Sequence, residues 1–278
     1  MWPRPALDID EPTRLANSTI RARRSLSPGL VDVAPLLCYC WAMSEAGESH
    51  TISDRRSARL PRLRLAVFDL DGTLKEPFSP WRYLHQALGV EEQAAVYRAR
   101  FFRREIDYLE WARLDAALWK GIPLAEVQGI FRRSPYRLGV RALFSVLGRH
   151  QVLTAIISTG LDVQARQVAV DLGVWRTVTN ELTVHNGLLT GEVVVHVTEH
   201  TKGEVMARLR AEADARPTEC LAVGDGTADL ALFAQAGLAV AVCPRDSSVA
   251  QAADLVVEDG DLLAIVPLLE QSFCLAQT

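Results

Sequence analysis

From Arg62 onward the chain alternates short apolar runs with stretches in which apolar residues recur at three- and four-residue spacing. Leu65-Ala66-Val67-Phe68 is an apolar run of strand type, and the pattern predicts a strand over 64–69. Pro77 and Pro80 then break the chain. From Trp81 to about Arg133 the period becomes helical, with candidate helices at 81–88, 91–104, 107–119 and 124–133. Within 107–119, Tyr108, Trp111, Ala112, Asp115, Leu118 and Trp119 follow helical spacing, and Ser134-Pro135 closes the block.

The βα rhythm then resumes. Helix 138–149 leads into a buried strand from Val152 to Ile157, which ends in Ser158-Thr159-Gly160. Helix 162–172 follows, with Gly173 as its stop. A short strand at 176–179 precedes a hairpin turned at His185-Asn186-Gly187. Lys202-Gly203 opens helix 203–214, and the strand Cys220 to Val223 runs into Gly224-Asp225-Gly226-Thr227-Ala228-Asp229. Helix 229–236, strands 238–242 and 254–257, and a last helix near 261–271 complete the pattern. Alternating strands and helices predict an α/β fold, a parallel sheet covered by helices on both faces. The helical block at 77–135 is inserted between the first strand and the rest of the sheet, which divides the chain into 61–76 and 136–278 as core.

Residues 1–60 look different. They are rich in Arg, Ser and Pro without sustained periodicity, and read as a disordered or loosely docked extension. A short helix through Leu36 to Ala42 could dock on the domain, and Met43 is an alternative start. The clusters Arg21, Arg23, Arg24 and Arg55, Arg56, Arg59 read as solvated tail.

Composition changes the picture little. The 278 residues suit one large or two modest domains, with 49% hydrophobic and 23% charged residues. A net charge of −4 gives no push toward nucleic acid or an anionic membrane. The cysteines Cys38, Cys40, Cys220, Cys243 and Cys274 are odd in number and lack zinc or redox spacing, which favours a reducing cytoplasm. Leu30 to Met43 is too short to span a bilayer and holds Asp32 and Pro35. Asp8, Asp10 and Glu11 argue against a secretory signal. His185, Asn186, His196 and His200 read as structural or solvated.

The chemistry lies where the apolar runs end. The first strand finishes in Asp69 and Asp71, followed by Gly72-Thr73. Alternate residues of a strand share a face, and buried carboxylates are costly unless paired or bound to metal. Alone, this stretch also reads as an Asx-turn. However, Ser158, Lys202 and the pair Asp225/Asp229 fall at comparable strand ends or helix starts. In a parallel sheet such positions share one edge and converge on one crevice. A carboxylate there can act as nucleophile, a second as acid and base, and a hydroxyl, a lysine and the backbone N–H groups of Thr159 and Gly160 can hold phosphate oxygens. A phosphate dianion facing ionised Asp69 and Asp225 would meet repulsion of about 4 kcal/mol per charge pair at 4 Å, which a divalent cation such as Mg²⁺ offsets.

These residues resemble the haloacid dehalogenase-like hydrolases. Phe68-Asp69-Leu70-Asp71-Gly72-Thr73 looks like the family's first motif, Ser158 the second, Lys202 the third and Gly224 to Asp229 the fourth. The nearest branch is the phosphoserine phosphatase-like group, which Asn180-Glu181-Leu182, Asn186-Gly187-Leu188-Leu189-Thr190-Gly191 and the stretch from Asp229 through Ala241 also resemble. The resemblance covers about 63–270 and implies a Rossmann-like three-layer core with 77–135 as a helical cap. It implies a phosphatase with Asp69 as nucleophile and Asp71 as general acid and base. It further implies Mg²⁺ held by Asp69, the Asp71 backbone carbonyl and Asp225, with Asp229 supporting the metal or orienting Lys202.

Three positions depart from that pattern. Phe78 stands where the branch has a glutamate, Asp115 where it has a cap arginine, and Ala228 where it has an asparagine. Asp115 would repel a substrate carboxylate, so phosphoserine is not the expected substrate. Tyr108, Trp111, Asp115 and Trp119 suit a polyol, sugar or amine-bearing phosphate. The expectation is a cytoplasmic, monomeric or homodimeric phosphomonoesterase acting on a small-molecule ester, without nucleic-acid or membrane partners. A phosphotransferase or mutase, and a silent binding module, are the alternatives.

Overall fold

The structure, a computed structural model, describes residues 20–22 and 60–275. Among these, in chain order, lie β1 (Ile20–Ala22), β2 (Leu65–Phe68), α1 (Pro80–Ala87), α2 (Glu91–Phe102), α3 (Tyr108–Ala117) and α4 (Leu124–Arg132). Next come α5 (Val140–Arg149), β3 (Leu153–Leu161), α6 (Asp162–Leu172), β4 (Arg176–His185), β5 (Leu188–Val194) and α7 (Lys202–Glu212). The last are β6 (Cys220–Gly224), α8 (Leu230–Phe233), β7 (Leu238–Val242), α9 (Ser247–Ala252), β8 (Leu255–Val257) and α10 (Val266–Ser272). One sheet has the order β1-β8-β7-β6-β2-β3-β4-β5, parallel from β8 to β4 and antiparallel at both edges.

β2 is apolar at every position because both of its faces are covered. Leu65 and Val67 pack with Val205, Met206 and Leu209 of α7 and with Leu232 and Phe233 of α8. Ala66 and Phe68 pack on the other side with Leu143, Phe144 and Leu147 of α5 and with Leu269 of α10. β2 lies between β3 and β6, and its chain neighbours in the sheet come from later in the sequence. The order therefore reverses at β2, the place where an open α/β sheet forms a crevice beyond its strand ends.

The helices α1–α4 have their own core of Trp81, Leu84, Ala112, Ala116, Trp119, Val127, Ile130 and Phe131. That core continues into Leu161, Val163, Leu182 and Leu189, so the insertion rests on the β4–β5 hairpin. Three backbone hydrogen bonds join them: Gly121 N–H to Leu189 C=O at 2.8 Å, Leu189 N–H to Ile122 C=O at 2.9 Å, and Leu124 N–H to Gly187 C=O at 2.9 Å. Asn186 and Gly187 turn the hairpin with φ of 50° and 78°, the left-handed pair of a type I′ turn. Ser79 caps α1, with Pro80 at its first position, and Asp107 caps α3.

Several elements differ from expectation. β3 continues through Ser158-Thr159-Gly160 to Leu161, because pairing resumes beyond an irregularity with Leu161 opposite Asn180. The strand expected at 176–179 runs to His185, directly into the hairpin. The expected helix 229–236 is a 3-10 turn at Thr227–Asp229 followed by the four-residue α8. The last helix likewise begins as a 3-10 turn. α9, capped by Asp246, is an element the apolar period does not reveal. Within the extension, Ile20–Ala22 pairs antiparallel with β8. The suggested helix at Leu36 to Ala42, Arg23 and Arg24 of the first arginine cluster, and the whole of the second at 55–59 lie outside the described residues. No helix among the described residues is long and apolar enough to cross a membrane.

Candidate active site

Asp69 directly follows β2 and donates its backbone N–H to Val223 C=O at 2.9 Å, which holds it at the sheet edge beside β6. The residue is 5% exposed. Lys202, at the first position of α7 and 2% exposed, donates to Asp69 Oδ1 at 2.6 Å and to Asp229 Oδ1 at 2.7 Å. Asp229 Oδ2 accepts the backbone N–H groups of Asp225 and Gly226, both at 3.0 Å. Both oxygens of Asp229 are thus engaged, and this residue orders Lys202 and the Gly224–Asp229 turn together. Thr73 Oγ1 donates to Asp225 Oδ1 at 3.1 Å, a bond across the two acidic motifs.

Asp71 turns to the other side. Its Oδ2 accepts from Ser158 Oγ at 3.1 Å, while Oδ1 is buried without a hydrogen-bond partner. Ser158 Oγ in turn accepts the Gly160 N–H at 2.9 Å. Gly160 therefore supports Ser158, and it does not line the cavity that Ser158 and Thr159 border. A Cβ at Gly72, where φ is 89°, would fall on the Asp225 carboxylate.

The electrostatics separate the carboxylates. Burial raises Asp69 to about 6, with Lys202 opposing the rise. Burial, then the charge of Asp69, holds Asp71 well above the usual carboxylate range. Burial, then Asp69 and Asp229, pushes Asp225 up to about 8. Burial works against the charge of Lys202, but the facing Asp229 and Asp69 outweigh it and raise its pKa. Oxygens of Asp69, Asp225 and Asp229 lie within 4.8 Å of one another, a buried group able to hold a cation. Burial and the neighbouring carboxylates favour a proton on Asp225, and a bound cation would offset the same crowding of negative charge. This donor set fits Mg²⁺, which takes one or two carboxylates and keeps several waters.

A cavity of about 190 Å³ covers the group. Asp69, Asp71, Ser158, Thr159, Lys202, Asp225 and Asp229 line it on the sheet side, and Phe78, Trp81, Tyr108, Trp111 and Asp115 on the insertion side. The four insertion residues expected there (Phe78, Tyr108, Trp111 and Asp115) all border it. Trp119 does not, because it is fully buried in the core of the insertion. A larger groove of about 800 Å³ runs along α4, α6 and the hairpin, but none of the site carboxylates borders it.

Sequence reasoning missed Trp81, His85 and Arg245. Trp81 Nε1 donates to Thr159 C=O at 3.2 Å, beside Tyr108 Oη at 3.1 Å and Asn180 Nδ2 at 2.9 Å. One backbone carbonyl of β3 thus ties the insertion and β4 to the site. Arg245 reaches the cavity from the loop before α9 and stacks over Phe78 at 3.9 Å. An apolar residue or a lone arginine in a loop carries no local signal of either role.

Known proteins share this arrangement to a measurable extent. Residues 66–234, more than half of the chain, match the haloacid dehalogenase-like hydrolase family. Phosphoserine phosphatase from Methanocaldococcus jannaschii is 27% identical over 208 residues, covering 74% of this chain and 98% of that protein. Phosphoserine phosphatase from Halobacterium salinarum is 30% identical over 185 residues, 66% of this chain and 87% of its own. A phosphoserine phosphatase structure representing a phospho-aspartyl intermediate analogue superposes with a TM-score of 0.65 at 26% identity, covering 74% of this chain and 99% of that one. A haloacid dehalogenase family hydrolase from Salmonella enterica serovar Typhi shares the fold, with a TM-score of 0.71 at 20% identity over 77% of this chain and 73% of that one. With its acidic strand ends, buried lysine and matched domain, this chain belongs to the haloacid dehalogenase-like hydrolases, on their phosphoserine phosphatase-like branch.

Proposed function

We propose that this phosphatase is a Mg²⁺-dependent phosphomonoesterase that works through a phospho-Asp69 intermediate. The observation that carries the reading is the division between two buried carboxyl groups two residues apart. Asp69, near 6 and bonded to Lys202, is ionised at neutral pH and can attack phosphorus. Asp71 is held well above the usual range, so it keeps a proton to give to the leaving alkoxide. The deprotonated Asp71 then takes a proton from the water that hydrolyses the acyl phosphate, which returns both groups to their starting states. Ser158 holds Asp71 in place and, with Thr159 and Lys202, lies where phosphate oxygens would sit.

Asp69 and Asp225 would hold Mg²⁺, with the Asp71 backbone carbonyl as a further ligand. When bound, Mg²⁺ supplies positive charge between the carboxylates and the phosphate. Asp229, with both oxygens engaged, positions Lys202. The insertion α1–α4, residues 77–135, serves as the cap that covers the site and selects the leaving group. The substrate is a small-molecule monoester in the cytoplasm. It is not phosphoserine, because Asp115 borders the cavity where a carboxylate would be repelled.

The test is release of inorganic phosphate from p-nitrophenyl phosphate with Mg²⁺ and after EDTA. Mg²⁺-dependent, stoichiometric release is expected, together with loss of turnover by about 10⁴-fold or more in Asp69→Asn. Full activity of Asp69→Asn would remove this mechanism. Transfer of the phosphoryl group to an added alcohol without phosphate release would make the protein a phosphotransferase instead.

A further inference from the structure

The insertion side of the cavity combines four aromatic residues with one buried carboxylate. Phe78, Trp81, Tyr108 and Trp111 border it together with Asp115. Trp111 and Asp115 are one turn apart on α3 and share a helix face. Asp115 is 2% exposed, and its Oδ1 has no hydrogen-bond partner. Its Oδ2 lies 3.1 Å from His85 Nε2.

His85 meets only one oxygen of this carboxylate. Trp119 Nε1 donates to His85 Nδ1 at 3.1 Å, and an indole N–H can only donate. Nδ1 thus accepts from Trp119, and Nε2 is the nitrogen that faces Asp115. It meets Oδ2 and leaves Oδ1 without a partner. The guanidinium of Arg98 acts on Asp115 from farther away and is itself 3.5 Å from Glu91. Arg245 is exposed and stacked on Phe78. A buried carboxylate with an open oxygen, set among aromatic rings, is the chemistry of a cation receptor.

We propose that Asp115 and the rings of Trp81, Tyr108 and Trp111 receive a protonated amine on the leaving alcohol, so that the substrates are aminoalkyl phosphate monoesters that carry no carboxylate. This rests on the phosphomonoesterase reading above and gives it a substrate class. An ammonium supplies both the donor that Asp115 Oδ1 lacks and a positive charge beside the buried carboxylate. A hydroxyl would supply only the donor, and an alkyl group neither. Aromatic faces attract the same cation through their quadrupoles. His85 is a positioning residue that acts through Asp115.

The experiment compares kcat/KM of the full-length protein with Mg²⁺ for 2-aminoethyl, 2-hydroxyethyl, propyl and p-nitrophenyl phosphate. The 2-aminoethyl ester is expected to exceed the propyl ester by about tenfold or more. In Asp115→Asn this ratio should fall to near one, chiefly through KM, and in His85→Phe it should fall part of the way. A ratio of two rates on the same protein cancels any general loss of activity. A wild-type ratio near one, or a high ratio that survives Asp115→Asn, overturns the inference. If Asp115→Asn does not fold, the wild-type ratio decides alone. Hydrolysis of p-nitrophenyl and propyl phosphate without an amine preference defeats this inference and leaves the phosphatase reading standing. No release from any ester defeats both.

Discussion

Lys202 Nζ donates to Asp69 Oδ1 at 2.6 Å across 133 positions of sequence, so the start of α7 is bonded to the end of β2. Lys202 also holds Asp229 Oδ1, and all three groups are buried. Removing one partner of a buried ion pair leaves an uncompensated charge. Lys202→Met is expected to lower the unfolding free energy of the metal-free protein by about 3–5 kcal/mol, measured in urea. A change within experimental error would mean that the two carboxylates are protonated in the fold.

Asp225 sets a pH dependence. Its pKa is raised to about 8 by burial, then by Asp69 and Asp229, so the folded protein keeps a proton that the unfolded chain releases. That contribution to stability is present in acid and is lost as pH rises through about 8. Mg²⁺ competes with the same proton. The rise in Tm on adding Mg²⁺ to EDTA-treated protein should therefore grow from pH 6 to pH 8. Equal rises at both pH values would contradict the assignment of Asp225 as a ligand.

Asn180 is the joint between sheet and insertion. Its Nδ2 donates to Thr159 C=O at 2.9 Å and to Tyr108 Oη at 3.0 Å, and its Oδ1 accepts the N–H groups of His196 and Val197, both at 2.9 Å. Asn180→Ala leaves the His196 and Val197 N–H groups unpaired, at a cost of at least about 2 kcal/mol. Thermal unfolding reads the loss. Because Tyr108 keeps only its bond to Thr159 C=O, KM for small phosphate esters should rise more than kcat falls.

Gly72 makes room for Asp225. Gly72→Ala would force a left-handed conformation costing about 1–2 kcal/mol and place Cβ on the Asp225 carboxylate. Mg²⁺ affinity, measured by calorimetry, should drop while the circular dichroism spectrum is retained. Unchanged affinity would show that the turn relaxes away from Asp225.

Much of this was legible in the chain because its signals are local. An apolar strand that stops at a carboxylate marks Asp69, and the same rule finds Ser158 and Asp225. The turn at Asn186-Gly187 is local too, since left-handed backbone favours those residues. α9 escaped because six residues with Val249 as the buried one display no period. The full length of β3 is not legible in the sequence because Ser158-Thr159-Gly160 is polar and small, whereas pairing with β4 holds it extended.

By itself the sequence determined which residue types stand at the strand ends, and therefore the class of chemistry. Only the tertiary structure decided what each of them touches. It bonded both oxygens of Asp229, faced Asp71 toward Ser158, and set His85 against Asp115. It also brought Arg245 to Phe78. These relations depend on sheet order and on how the insertion rests on the hairpin, and such long-range packing has no local pattern of its own.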